Sequence, residues 1–422
     1  MSTNYFNTIG RYFQNYYHQQ KALFYRNYRL FLVGQWMSNI GTWIQRMAMI
    51  WLAYKLTNSA LLLGLVGFCE QIPIFLLAPF AGVFADRWDK HKALIRIESL
   101  AMLQAAILGL LTFTGAVHIV YIIILSLCLG CINAFEMPIR QSFVVEMVNR
   151  DKKALPNAIA VNSTVFNMSR LIGPSIAGIM INVVGEDWCF MANAFSYGVI
   201  TVSLLMMRIQ KSDDTTLKEK ENVWQQLKEG VEYIGTHKIM RSLLLLLAIV
   251  SFCNASLRTL APIFAQNILK GDANTMGWLL SAAGVGAISG ALFLTKRKRS
   301  SVLKRIVSFT GFLLGSAMIT FAFSKSLPLS LAFMAFAGLA QMMHTACTNT
   351  LLQEYVDDDK RGRVMSFYTV CLQGTMPFGS LAAGSIAEYT SGVWSMFAMG
   401  AICLVATFIF RDHGQTKKKI AV

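Results

Sequence analysis

The sequence predicts an all-α membrane protein with twelve transmembrane helices, arranged as two pseudo-symmetric six-helix bundles. Three observations predict it. Apolar stretches of about 20 residues recur along the chain, the length a helix needs to cross a bilayer with its backbone satisfied internally. Only 14% of the residues are charged, against roughly 25% in a soluble globular protein. Lys and Arg collect in alternate connections, as they do in the cytoplasmic loops of membrane proteins.

Residues 1–28 are polar and aromatic and read as a cytoplasmic tail, with no signal-peptide pattern. Six spans follow within 29–207, at about 29–54, 60–84, 93–114, 118–139, 157–184 and 188–207. The composition then changes. Residues 208–240 are charged, and Val223, Leu227, Val231 and Ile234 fall at helical spacing, so this linker holds an amphipathic helix on the membrane face. Six further spans follow within 241–411, at about 241–269, 275–295, 302–324, 327–351, 364–388 and 393–410. Residues 412–422 form a basic C-terminal tail. Basic residues cluster in both tails, the linker and the connections near Lys90, Arg150, Lys296 and Lys360, while the opposite loops hold only Lys55, Lys270 and Lys325. An even number of spans and this asymmetry place both termini in the cytoplasm.

The net charge of +16 is therefore topological. Nucleic-acid binding needs a basic patch on a folded soluble surface, and no connection has room for one. The eight cysteines fall almost entirely in apolar runs. Cys128 and Cys131 have the spacing of a metal or redox motif, yet sit mid-span and read as small buried hydrophobes. No phosphate-binding loop and no His/Cys metal spacing occurs. No cofactor and no enzyme activity are expected, and ATP is not the driver.

The two halves echo each other. Glu146-Met-Val-Asn-Arg-Asp-Lys-Lys after the fourth span resembles Glu354-Tyr-Val-Asp-Asp-Asp-Lys-Arg after the tenth, and Gly173 and Gly178 are matched by Gly379 and Gly384. Two parallel repeats joined by a cytoplasmic linker is the plan of a secondary transporter.

The turn between the second and third spans, Gly82-x-x-x-Asp86-Arg87-x-Asp89-Lys90, resembles the Gly-x-x-x-Asp-Arg-x-Gly-Arg signature of the major facilitator superfamily. It departs from it at Asp89. The fifth span reads Gly173-Pro174-Ser-Ile-Ala-Gly178 and is similar to the Gly-Pro-x-x-x-Gly motif of the superfamily's exporters. With Asn27-Tyr-Arg-Leu-Phe and Pro138-x-Arg140-Gln141, the chain looks most like the enterobactin-exporter and macrolide-efflux branch. The resemblance implies a monomeric carrier in the bacterial inner membrane, in contact with membrane lipids. It would export a small amphipathic solute, a siderophore or a drug, against protons by alternating access. It also implies that Asp86 latches the cytoplasmic side, capping the eleventh span near Val364 and pairing with Arg140 or Arg150. Siderophore import, lipid flipping and a transport-inactive sensor or scaffold are the rival readings.

Charged residues inside apolar spans mark the candidate path, because each costs at least about 2.5–3.5 kcal/mol there unless it faces the bundle interior. These are Arg46, Glu70, Glu136, Arg170 and Arg258. Arg46 and Glu70 lie at compatible depths, and Glu136 and Arg140 are one turn apart. Glu70, deepest in the first half, is expected to carry the coupling proton, with His344 as a weaker rival. Gln35, Asn39, Asn162, Asn167 and Asn254 supply polar lining, and the arginines favour a solute with anionic groups. Gly173, Pro174 and Gly178 either seal an interface or serve ordinary close packing.

Overall fold

The computed structural model describes residues 21–151, 153–208, 223–294, 300–357 and 360–411, with the side chains at 21, 78–80, 82–87, 223–228, 230 and 411 outside the description. Every element among them is helical. After a short turn at Lys21–Phe24, the first half of the chain holds α1 (Arg26–Thr57), α2 (Ala60–Arg87), α3 (Lys90–Phe113), α4 (Ile119–Met147), α5 (Leu155–Val183) and α6 (Glu186–Leu205). The linker helix α7 (Val223–Thr236) leads to α8 (Lys238–Thr259), which runs on through Ala261–Ile263 and a π turn at Phe264–Ile268. Then come α9 (Ala273–Leu294), α10 (Ser300–Phe323), α11 (Leu327–Tyr355), α12 (Arg361–Thr369), a π turn at Val370–Gly374, α13 (Met376–Tyr389) and α14 (Gly392–Arg411).

Among the described residues, ten helices are long and apolar enough to cross a membrane. Two expected spans fall outside that count for physical reasons. Helix α1 is long, but its polar residues Gln35, Asn39, Gln45 and Arg46 lower its hydropathy. The eleventh span is divided by the π turn into α12 and α13, neither of them long enough alone. Large apolar side chains face outward in stripes, such as Leu100, Leu103, Ile107 and Leu110 on α3, as lipid contact requires.

Local chemistry sets the turns. Asn58 ends α1 in the left-handed conformation, φ 50°, and Gly185 at φ 97° permits the reversal between α5 and α6. Asp89, where the superfamily signature has Gly, is the N-cap of α3. Its carboxylate accepts from the Lys92 N–H at 3.1 Å, a cap worth about 1 kcal/mol. The departure thus starts the next helix. Lys90 pairs with Glu146 on α4 at 2.7 Å. Tyr25, just before α1, donates to Asp151 at 3.0 Å; desolvation and that carboxylate hold its phenol above the ordinary value. The side chains of Gly82, Asp86 and Arg87 lie outside the described set. The N-terminus of α12, where Asp86 was expected, is met by Glu229 of α7, which pairs with Arg363 and with Lys360 at 4.0 Å.

The two chain halves pack against each other mainly through α5 on α9 and α2 on α13. Both pairings use small residues. A Cβ at Gly178 would stand 2.8 Å from Ala273 O, one at Gly277 2.6 Å from Pro174 O, and one at Gly64 2.7 Å from Ser380 O. Lipid tails give helices no hydrophobic reason to associate, so backbone approach of this kind supplies the contact. The repeat is visible here. Gly178 and Gly384 each meet the opposite half, at Ala273 and Ala60, whereas Gly173 and Gly379 each meet their own half, at Trp43 and Phe252. The motif in α5 therefore has one face in each role.

Among the described residues, polar contacts across the halves gather toward one end of the molecule, hereafter the closed end. Glu388 accepts from Ser59 Oγ and Leu61 N, both at 3.0 Å. Asn267 donates to Tyr54 at 2.6 Å, Asn182 to Asp272 at 2.5 Å, and Ser175 to Ser281 at 2.7 Å. The opposite end, hereafter the open end, carries Lys90, Arg150 and Lys360. In a background cleared of native cysteines, Ser175→Cys with Ser281→Cys should form a disulfide on mild oxidation, read as an altered mobility on gels. A matched pair at the open end, Lys92→Cys with Lys304→Cys, should not.

Candidate functional site

The intramembrane charges converge. Counted from Thr57, Ala60 and Ile268, residues Arg46, Glu70 and Arg258 each lie some ten residues in from the closed end. At 1.5 Å per residue that is about 15 Å, half of an about 30 Å hydrocarbon layer. Equal depth lets them meet. Arg46 Nε stands 2.8 Å from Glu70 Oε1, and Arg258 Nη2 stands 3.6 Å from Glu70 Oε2. Arg46 and Glu70 belong to the first half and Arg258 to the second. One buried carboxylate thus joins the halves. Neither contact has hydrogen-bond alignment, since Arg46 Nε and Glu70 Oε2 lack a directed partner, so the attraction is chiefly Coulombic.

Glu70 is 2% exposed at its side chain, while Arg46 and Arg258 keep 20% and 27%. The guanidiniums therefore reach an open space from which the carboxylate is shut off. Trp43, one turn before Arg46, has its ring 5.5 Å from that guanidinium and packs edge-on against Phe166. Arg170 on α5 is within electrostatic reach of Arg258, and no carboxylate pairs with it among the described residues. Three guanidiniums against one carboxylate leave two positive charges at mid-depth.

A narrow cleft extends from Arg46 toward the open end, between α1, α3, α4, α5 and α6. Gln35 and Asn39 line it and hydrogen-bond each other at 3.0 Å. Glu136 and Arg140 line it too and form the expected pair at 2.8 Å. Arg140 thus has its partner on its own helix. Asn162 Oδ1 is buried without a partner, but Asn167 donates back to Ser163 O on α5 and lies outside the cleft. Asn254 is half-buried, one turn before Arg258. His344 does not join the site. It is fully buried between α10 and α11, with Nδ1 3.2 Å from both Thr310 Oγ1 and Val307 O.

Two features are absent from the sequence reading. Glu98 on α3 is 3% exposed and lines the same cleft; its nearness to the start of the span concealed it among interfacial charges such as Arg96. Gln45, Gln104 and Asn193 form a buried chain of amides, Asn193 to Gln45 at 2.6 Å and Gln45 to Gln104 at 2.9 Å, which locks α1 to α3 and α6.

A multi-pass helical protein with polar, charged groups converging at mid-membrane between two halves is a solute transporter. The chain belongs to the family of transmembrane secretion effectors within the major facilitator superfamily, whose profile matches residues 22–418. It is 26% identical to the staphyloferrin A transporter of Staphylococcus aureus, over 90% of this chain and 95% of that protein. It is 25% identical to the multidrug efflux pump Tap of Mycolicibacterium fortuitum, over 85% and 88%, and 22% identical to macrolide efflux protein A of Streptococcus pyogenes, over 86% and 91%. In fold it is similar to a bacterial homolog of the human lysosomal transporter Spinster, with TM-score 0.72, 15% identity and coverage of 93% and 97%. Relatives and fold are those of transporters, not enzymes.

Truncations should separate the roles in the mid-membrane cluster. Glu70→Ala leaves two guanidiniums unpaired and should cost on the order of 2–3 kcal/mol. That is below the 3–5 kcal/mol of a dry pair, because both arginines keep some water. Arg258→Ala leaves the Arg46–Glu70 pair intact and should cost less than half as much. Thermal unfolding of the two variants in detergent checks the order.

Proposed function

We propose that the protein is a secondary carrier of twelve spans in two six-helix bundles. It counts α1 as the first span and α12 with α13 as the eleventh. The positive-inside rule assigns the Lys/Arg-rich open end to the cytoplasm, and with it both termini, in a bacterial inner membrane. The conformation is then inward-facing. Its cargo is an amphipathic organic solute bearing anionic groups, a siderophore or a drug, moved outward against protons.

One observation carries this reading: the surplus of two positive charges where the halves meet. A solute carboxylate or comparable anion entering between the halves finds Arg258 in the longer of the two contacts with Glu70 and beside it Arg170, which pairs with no carboxylate among the described residues. Taking Arg258 from Glu70 weakens the link between the halves, and the closed end can part. Trp43 and Phe166 offer apolar and π surface to the rest of the solute. Rocking of two bundles about a fixed mid-membrane site is the general pattern for parallel-repeat carriers. The names of the relatives, a siderophore transporter and two efflux proteins, support the cargo class.

The test compares a deletion strain with its complement for cellular accumulation of carboxylate siderophores and macrolides. Export predicts more solute in the deletion strain. Less solute in the deletion strain means import and overturns the direction. No difference for any solute of either class overturns the cargo.

A further inference from the structure

We infer that Glu98 is the group that takes up and releases the coupling proton, an inference that rests on the carrier reading above. Glu70 was the expectation from sequence, but two guanidiniums engage it at once. A carboxylate so placed is suited to holding the halves together. Glu98 has the opposite setting. It is 3% exposed, it faces the cleft, and among the described residues no base forms an ion pair with it and no donor hydrogen-bonds to it; Arg140, within electrostatic reach, is paired with Glu136 instead.

An isolated carboxylate in such a place is very costly, so the site suits a carboxyl that exchanges a proton. The charged and titratable groups around it are few. From α1 comes Arg46, held by Glu70. From α4 come Glu136 and Arg140, held by each other. From α6 comes the Tyr197 hydroxyl, 3.2 Å from Thr42 Oγ1. From α5 comes Phe166, which is apolar. Glu136 is thus a negative neighbour, and the nearby positive charge is already engaged.

The cleft also supplies a release step. Arg140 lines the same space as both Glu136 and Glu98, so one guanidinium can be shared between two carboxylates. When Arg140 turns toward Glu98, the Glu98 O–H bond breaks and its proton passes to water at the open end. The carboxylate left behind is balanced by Arg140. In the opposite conformation a proton from water on the other side rejoins the Glu98 oxygen. Arg46, which borders this same cleft, shares Glu70 with Arg258, a proposed anion contact. Proton and solute therefore act on adjoining sites joined by Glu70, a route for coupling between them.

Infrared difference spectroscopy of the purified full chain in proteoliposomes reads the proton without any solute. Buffer is stepped from mildly alkaline to mildly acidic. The wild type should show a protonated-carboxyl band that titrates across the step. Glu98→Gln should lose that band, whereas Glu70→Gln and Glu136→Gln should keep it. A band that survives in Glu98→Gln, or that only Glu70→Gln or Glu136→Gln removes, overturns the assignment, as does a wild type with no such band. Should Glu98→Gln aggregate on gel filtration, Glu98→Asp replaces it. A shifted band then supports the assignment, and an unchanged one overturns it. A protein that proves to move no siderophore or drug would refute the carrier reading but leave this spectrum legible, so the two failures are distinguishable.

Discussion

Glu70 sits between two arginines that belong to different halves of the chain, and much of the structure follows from that one constraint. A carboxylate at about 15 Å depth cannot remain unpaired in a medium of low dielectric. Arg46 answers it from α1 and Arg258 from α8. The cross-half contact at 3.6 Å is longer than the contact within the half at 2.8 Å. A link with one firm and one loose arm can hold a conformation and still yield to a competing anion. The glycine contacts of α5 on α9 and α2 on α13 add the close packing that seals the same end. The hydrogen bonds at Glu388 and Asn182 lie at that end, and the central ion pairs lie inward of them at mid-depth.

The architecture was largely legible in the sequence because membranes leave few choices. Apolar run length fixed the helices to within a few residues, except where helix and span are different things. Helix α4 continues to Met147, well past the apolar run, since a helix does not end where the bilayer does. The π turn at Val370–Gly374 left no mark in the apolar pattern, because Val370, Cys371 and Leu372 read as ordinary span residues. Asp89 looked like a defect in a signature and is instead a helix cap.

The site was legible wherever its geometry was local. Glu136 and Arg140 are one turn apart on one helix, so their pairing needed only the helical period. Arg46 and Glu70 lie on adjacent helices at equal depth, so their contact was a matter of counting. Arg258 reaches Glu70 only because the second half is docked in a particular orientation, and no local pattern encodes that. Glu98 was hidden for a different reason. Eight residues into its helix, it resembles a charge at the membrane edge, and only the packing of α3 against α4 and α6 shows it to be enclosed. His344 misled in the reverse sense: mid-span depth alone does not place a side chain in a cavity.

The central claim is that the Glu70–Arg258 link biases the molecule toward the conformation with one end sealed. Spin labels placed at Leu56→Cys and Trp394→Cys, both exposed at that end, report it directly as a distance distribution in a background cleared of native cysteines. The account predicts a dominant short distance in the otherwise native protein and a growing longer population once Arg258→Gln is added. A distribution unchanged by Arg258→Gln, or shifted to shorter distances, would contradict it.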